Sequence, residues 1–407
     1  MTDQWQLRTS TAAEAREVAE LVTSAFLGDP DDESLAAYEL VHEPERTHVV
    51  AADGRLVATG GVLTREMSVP GGTVPVAHVT DVAVAPTHRR RGLLSRIMDA
   101  QLEEISRLGS EPLAALWASE GSIYGRFGYG PAARHVWYSI PTRETALPGT
   151  APPGRLRQVR PGEALEPLAD VYDRVRVERP GLSGRPGNWW KHLTADPKAQ
   201  RRGRSALRAV LYEDGGTQGY ALWRVKASWG DTGPDGEVDV TEVVAATADA
   251  YAALWRFLLS IDLTRTVKYP GATVDEPLPH LLTDPQAMRA TLSPSVWIRV
   301  VDLPGALAAR RYAMPVDVVV QVSDTLLPRN AGRWRVVGDR SSAKCERTDA
   351  DPDLGLDIRD LGAAYLGGTS LVSLAATGRV VEHRPGALVE ASTAFGWHRA
   401  PTTFEVF

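Results

Sequence analysis

At about 150 residues per domain, a chain of 407 residues predicts two to three domains, and the breaks described below favour three. Hydrophobic residues at 43% and charged residues at 24% exclude a disordered, collagenous or coiled-coil chain. The 45 basic and 51 acidic side chains leave a formal charge of −6, a field that repels phosphodiester backbones, so nucleic acid is not an expected partner.

In chain order, the opening MTDQWQLRTS lacks the basic-then-apolar layout of a signal peptide. No later apolar run approaches the ~18 residues of a membrane span, so a cytoplasmic protein is expected. Residues 28–33, GDPDDE, place four carboxylates in six positions ahead of a helix from Ser34 and by themselves read as a solvated loop that caps it. Residues 56–63 and 74–84 are β-rich runs, the second stopped by Pro86. From Leu93, apolar residues recur at Leu94, Ile97, Met98, Leu102, Ile105 and Leu108, the spacing of one helical face, and residues 113–118 read as a buried strand. The stretch LPGTAPPG at 147–154 can continue neither helix nor sheet and sets the first domain boundary at 148/149.

The middle third repeats the pattern, with strands at 219–226 and 236–245 and a helix at 251–261. Where the first copy has Arg89, Arg90, Arg91 and Gly92 ahead of its helix, the second has Thr247, Ala248, Asp249 and Ala250. An acidic residue there suits capping and repels phosphate, so the second copy is expected to lack the anion site. Trp189, Trp190, Trp223 and Trp255 read as core. After PLPHLLTDP at 277–285, a strand at 297–301 and a short helix at 305–311 open a last domain, placed from residue 292. Cys345, the single cysteine, allows no intrachain disulfide and no thiolate cluster, and no metal is expected. The fold class is α/β (α+β) in three units, 1–148, 149–291 and 292–407.

The segment VTDVAVAPTHRRRGLLSRIM at 79–98 joins a strand, a basic glycine-containing turn and an amphipathic helix. Unsatisfied N–H groups at the helix start can cradle a pyrophosphate between Arg90, Arg91, Gly92, Leu93, Leu94 and Ser95; the arginines add charge and Gly92 permits close approach. Val82, Ala83 and Val84 can offer ladder hydrogen bonds to an extended ligand with amides of its own, such as pantetheine. In isolation, the arginine run also reads as a solvated surface. The segment resembles motif A of the GNAT acetyltransferases, whose Arg/Gln-x-x-Gly-x-Gly/Ala loop binds the coenzyme A pyrophosphate and stands here as Arg89, Gly92 and Leu94. Together with ASEGSIYGRFGYGPA at 118–132, PLPHLLTD, VWIRV, YLGG and the final FEVF, nearly the whole chain resembles the enhanced intracellular survival (Eis) family. That resemblance implies two GNAT-like domains, the second without cofactor, and a third like sterol carrier proteins. It also implies acetyl-CoA as co-substrate, Ser119 and Glu120 among its contacts, and a homohexamer.

Acetyl transfer from a thioester to an amine needs a base for the nitrogen and an acid for the departing thiolate. The resemblance nominates Tyr124 as acid, a group of reference pKa about 10 that holds its proton at neutral pH, with Tyr129 the nearest rival. It nominates the carboxylate of the last residue, Phe407, as base. Val406 separates Phe407 from Glu405, so which of these two carboxylates reaches the amine stays open. The resemblance also matches the acidic loop to a substrate entrance for polycationic amines such as aminoglycosides, which gives Asp29 and Tyr38, beside Glu405, as substrate contacts. Two rivals are a protein lysine acetyltransferase and a non-catalytic lipid or acyl carrier with an apolar tunnel in the last domain.

Overall fold

The computed structural model describes residues 5–407; the first four, part of the opening stretch read above for a leader, lie outside the described residues. The first region contains β1 (Gln6–Thr9), α1 (Ala15–Ala25), α2 (Asp32–Glu39), β2 (His48–Ala52), β3 (Arg55–Val69), β4 (Gly72–Val84), α3 (Leu93–Leu108), β5 (Leu113–Trp117), α4 (Gly121–Tyr124) and β6 (Gly130–Pro131). The second contains β7 (Arg134–Pro141), β8 (Arg155–Val159), α5 (Leu165–Arg176), α6 (Gly187–Thr194), β9 (Arg208–Glu213), β10 (Thr217–Lys226), a small ribbon of β11 (Trp229–Gly230) and β12 (Gly233–Pro234), β13 (Gly236–Ala245), α7 (Ala248–Leu259), β14 (Thr264–Ala272), α8 (Leu278–Leu281) and β15 (Arg289–Pro294). Then follow β16 (Val296–Val300), α9 (Leu303–Ala309), β17 (Val316–Ser323), β18 (Gly332–Gly338), β19 (Ala343–Arg347), β20 (Leu354–Asp357), α10 (Ile358–Tyr365), α11 (Leu371–Ala375), β21 (Val380–Glu382) and α12 (Ala387–Phe395).

Helix α3 forms where its apolar stripe predicts, burying Leu93, Ile97, Met98, Leu102 and Ile105 against the first sheet, and Gly109 at φ 71° ends it. That sheet runs β1-β2-β3-β4-β5-β16-β6, and the second runs β15-β7-β14-β13-β10-β9-β8. The third domain has a five-stranded sheet, β19-β18-β17-β20-β21.

Two strands cross the domain boundaries drawn from sequence. Strand β16, read as opening the last domain, instead lies between β5 and β6 in the first sheet. All five of its residues are buried, as a strand covered on both faces requires, and such a run carries no mark of which sheet it joins. Strand β7, placed before the 148/149 boundary, pairs with β14 and β15 in the second sheet. Sheet membership therefore changes between β6 and β7, and the 291/292 boundary falls inside β15.

The second GNAT-like unit keeps the parallel β13–β14 pair but closes its helix start, because the Thr247 side chain accepts from the Ala250 amide and Asp249 sits in the first turn. Trp189, Trp190, Trp223 and Trp255 are all buried, as expected of core. In the third domain Tyr312, Trp334 and Phe395 fill the core, and the buried Arg310 donates to the Tyr365 and Phe395 carbonyls that end α10 and α12. Helix α10 packs so tightly on β6 that a Cβ on Gly130 would stand 2.0 Å from the Arg359 carbonyl oxygen. No helix among the described residues is long and apolar enough to cross a membrane.

Candidate active site

Strands β4 and β5 are parallel and in register only at Val76–Leu113, Ala77–Ala114 and His78–Ala115. Beyond His78 they separate, and a cleft of about 420 Å³ opens between Val79–Val82 on one side and Leu116–Ser119 on the other. A bulge in β4 accompanies the parting: pairing with β3 slips between Thr59 and Gly61, and Asp81 adopts φ 54°. Tyr124, Phe26, Val406 and Phe407 complete the wall. The candidate acid and the last residue of the chain, 283 positions apart in sequence, thus face one cleft.

The basic turn leads into α3 through two left-handed residues, Arg90 at φ 60° and Gly92 at φ 82°. Arg96 makes the first intrahelical bond, to the Gly92 carbonyl at 3.1 Å. The amides of Leu93, Leu94 and Ser95 precede it, and no side chain caps the helix. A Cβ on Gly92 would meet nothing within 4 Å, and Arg90 and Arg91 are exposed beside it. Uncapped amides, an open backbone and two guanidinium groups fit a pyrophosphate, so the donor set suits the phosphate end of coenzyme A. Val82 lies where β4 has left β5, and its edge there is open to a ligand's amides.

Tyr124 ends α4 and is 5% exposed. Burial raises its pKa, countered by a hydrogen bond from Ser119 and reinforced by the nearby Glu120 charge, so it stays protonated at neutral pH. Ser119 and Glu120 are themselves exposed at the start of α4. Tyr129 packs edge-on against Tyr124 with ring centroids 6.3 Å apart, but it is wholly buried, its hydroxyl has no partner and it does not line the cleft.

The tail is docked. The Thr402 amide donates to the Pro180 carbonyl at 3.0 Å, and the Phe407 ring meets the His78 ring edge-on at 4.5 Å. His78 is hydrogen-bonded to the Val76 carbonyl and the Ser183 hydroxyl, and burial pushes its pKa down to about 3, leaving it neutral. Glu405, expected among the substrate contacts, is instead locked inside the domain seam, which corrects that reading. One oxygen contacts Arg65; the other accepts from Arg185 Nε at 3.0 Å and Trp189 Nε1 at 2.9 Å. Arg185 also holds Glu242 through two bonds of 3.0 and 2.7 Å, and the Arg65 guanidinium lies over the Trp189 ring at 3.9 Å. Burial alone would raise the Glu405 pKa, but the two arginines overcome it and hold the carboxylate at about 2. Glu405 is therefore an anchor for the tail, and of the two candidate carboxylates only that of Phe407 belongs to a cleft residue.

Three of the four carboxylates of the acidic loop are taken up by contacts within the protein. Asp31 caps α2 by accepting from the Ser34 amide at 2.9 Å, Asp32 pairs with Arg16 at 2.9 Å, and Glu33 accepts from the Lys198 amide at 2.9 Å. Asp29 is exposed three residues beyond Phe26 and does not line the cleft. Tyr38 reaches the cleft indirectly: its hydroxyl lies 2.7 Å from His42 Nδ1 and donates to Asp81 Oδ2 at 3.1 Å. The sequence reading passed over Asp81, although a lone carboxylate inside the apolar run VTDVAV was the available signal. Among the described residues no cluster of three or more His, Cys, Asp or Glu side chains could hold a metal.

Residues 6–132 and 181–300 match acetyltransferase (GNAT) domain families, and residues 303–403 match the sterol carrier protein domain family. An uncharacterized N-acetyltransferase of Streptomyces avermitilis is 44% identical over 370 residues, 89% of this chain and 90% of its own. The N-acetyltransferase Eis of Mycobacterium tuberculosis is 38% identical over 376 residues, 88% of this chain and 89% of its own. The crystal structure of Eis1 from Mycobacterium abscessus, 33% identical, superposes with a TM-score of 0.85 over 99% of this chain and 100% of that one.

Proposed function

The chain belongs to the Eis family of GNAT N-acetyltransferases, which use acetyl-CoA, and from that premise we propose that it acetylates amines of polycationic small molecules, aminoglycosides among them, by direct transfer. The observation that carries this reading is the meeting of Tyr124 and Phe407 in the cleft between β4 and β5, beside the cationic turn that opens α3.

Acetyl-CoA supplies the acetyl thioester. The amides and arginines from Arg90 to Ser95 hold its pyrophosphate, Val82 to Val84 offer amides and carbonyls to its pantetheine arm, and Ser119 and Glu120 flank the opposite wall. The Phe407 carboxylate takes a proton from the attacking nitrogen, and an N–H of β4 donates to the carbonyl oxygen as it gains charge. Tyr124 gives its phenolic proton to sulfur, and Ser119, hydrogen-bonded to the same oxygen, steadies the phenolate left behind. The net charge of −6 draws polycations toward the protein, with Asp29 at the loop beyond Phe26 and Tyr38 behind Asp81 on the acceptor side. The docking of Phe407 in the first-domain cleft favours this reading over a carrier with an apolar tunnel in the last domain, which has no use for it there. The expected assembly is a cytoplasmic homohexamer, which light scattering of the purified protein checks.

The test is free-thiol release from acetyl-CoA with a panel of aminoglycosides and polyamines, run beside a variant lacking Phe407. Acceptor-dependent release should fall at least about a hundredfold in the variant while acetyl-CoA still binds. Full turnover without Phe407 would remove it as the base. Release with a lysine peptide but no small amine would move the acceptor to protein.

A further inference from the structure

The cleft wall carries one carboxylate without a role so far, that of Asp81. Several other buried carboxylates of this protein are matched by cations: Glu405 and Glu242 by Arg185, Asp324 by Arg299, and Glu111 by Arg46; Glu276, held by Tyr251 and Thr273 in the second unit, is not, but it lies away from the cleft. Asp81 receives only hydrogen bonds, from Tyr38 on α2 and, at 3.5 Å, from Thr80, and no cationic side chain pairs with it among the described residues. A desolvated carboxylate facing a cleft without a cation of its own is a site for a cation that arrives. Its backbone, at φ 54° in the β4 bulge, turns out of the regular ladder at the point where the strands part, a conformation that Asp and Asn tolerate best among residues with side chains.

We propose that Asp81 binds the ammonium group of the acceptor and takes its first proton, leaving the second to the Phe407 carboxylate; the inference rests on the acetyl-transfer reading above. An alkylammonium has no lone pair with which to attack. Transfer of one N–H proton to an Asp81 oxygen leaves a free amine and a carboxylic acid. The nitrogen lone pair then forms the C–N bond at the thioester carbonyl carbon, Phe407 accepts the second proton, and Tyr124 protonates sulfur as the C–S bond breaks. Asp81 returns its proton to solvent after product leaves. Burial pushes the Asp81 carboxyl up to about 6 against the hydrogen bonds of Tyr38 and Thr80, so it is ionised at pH 7 yet basic enough to accept. The other titratable groups facing this region are Tyr124, the Phe407 carboxylate, the neutral His78 farther down β4, and Tyr38 with His42 behind it.

The test compares Asp81→Asn, which keeps the shape and tolerates the backbone, with the unaltered protein, using spermidine as acceptor from pH 6 to 10. At pH 7 kcat/KM for spermidine should fall about a hundredfold with the KM for acetyl-CoA unchanged, and the deficit should close as rising pH deprotonates spermidine itself. Unchanged kcat/KM and pH profile would overturn the proposal. A loss equal at every pH with a lowered melting temperature would make Asp81 structural and overturn it too. Calorimetric titration of spermidine into CoA-loaded protein at pH 7 provides a readout that needs no turnover. Should the unaltered protein acetylate no amine, equal spermidine affinity in both proteins overturns the ammonium site, whereas affinity lost only in the variant upholds it and rejects the acetyl-transfer reading.

Discussion

Replacing Glu405 with glutamine should loosen the tail from the seam where it is anchored. The carboxylate titrates at about 2 in place against 4.5 for an ordinary glutamate. That gap corresponds to about 3 kcal/mol of interaction with the ionised form, or more than about a hundredfold in the ratio of docked to undocked tail. Removing one member of a buried ion pair typically costs about 3–5 kcal/mol, and here Glu405→Gln leaves buried Arg65 without its carboxylate and Arg185 with that of Glu242 alone. Because the folded pKa is depressed, the contribution is complete above about pH 5 and is lost as pH falls from 4.5 toward 2. The Thr402 amide, bonded to the Pro180 carbonyl, reports opening directly by hydrogen exchange. Its protection should drop about a hundredfold in the variant at pH 7 and lose its acid dependence, and turnover should fall as Phe407 leaves the cleft. Unchanged protection together with unchanged turnover would refute the anchoring argument.

The double variant Arg90→Ala/Arg91→Ala should raise the KM for acetyl-CoA about tenfold, while stability shifts by no more than about 0.5 kcal/mol because both side chains are exposed; an unchanged KM would sink the phosphate cradle. Gly130→Ala should destabilise by about 3 kcal/mol in urea unfolding, since its Cβ would sit 2.0 Å from the Arg359 carbonyl oxygen and 2.6 Å from the Ala363 nitrogen. Gly162→Ala, where a Cβ meets nothing within 4 Å, serves as its control and should be neutral or slightly stabilising.

What could be read from sequence was what is encoded locally. The β4–turn–α3 unit has a period-3.6 stripe, a proline stop and a glycine at a left-handed position, each fixed by neighbours a few residues away. The capped start of α7 in the second unit was legible for the same reason, in Thr247 and Asp249. Long-range pairing was not: VWIRV is a buried strand by composition, but only the folded chain decides that it lies beside β5. The tail shows the same limit, since nothing local in FEVF tells an anchoring glutamate from a substrate-facing one; the difference lies in Arg65 and Arg185, more than 200 residues away. The acidic loop was legible as a cap through Asp31 and Ser34, whereas Asp81 could be weighed only once its lack of a cation was visible.

The placement of β16 bears on how the protein is made. Between Pro131 at the end of β6 and Val296 at the start of β16 lie about 165 residues, which a ribosome adds in roughly 8–30 s at about 5–20 residues per second. For that interval β5 has an open edge and the nascent first domain lacks the strand that joins β5 to β6, the kind of exposed ladder that pairs with whatever strand it meets. A fragment ending near residue 132 should therefore aggregate on release, and adding the β16 segment in trans should rescue its solubility. Assembly of the candidate cleft waits longer still, because Val406 and Phe407, which wall it, are synthesised about 280 residues after Tyr124 on its other side.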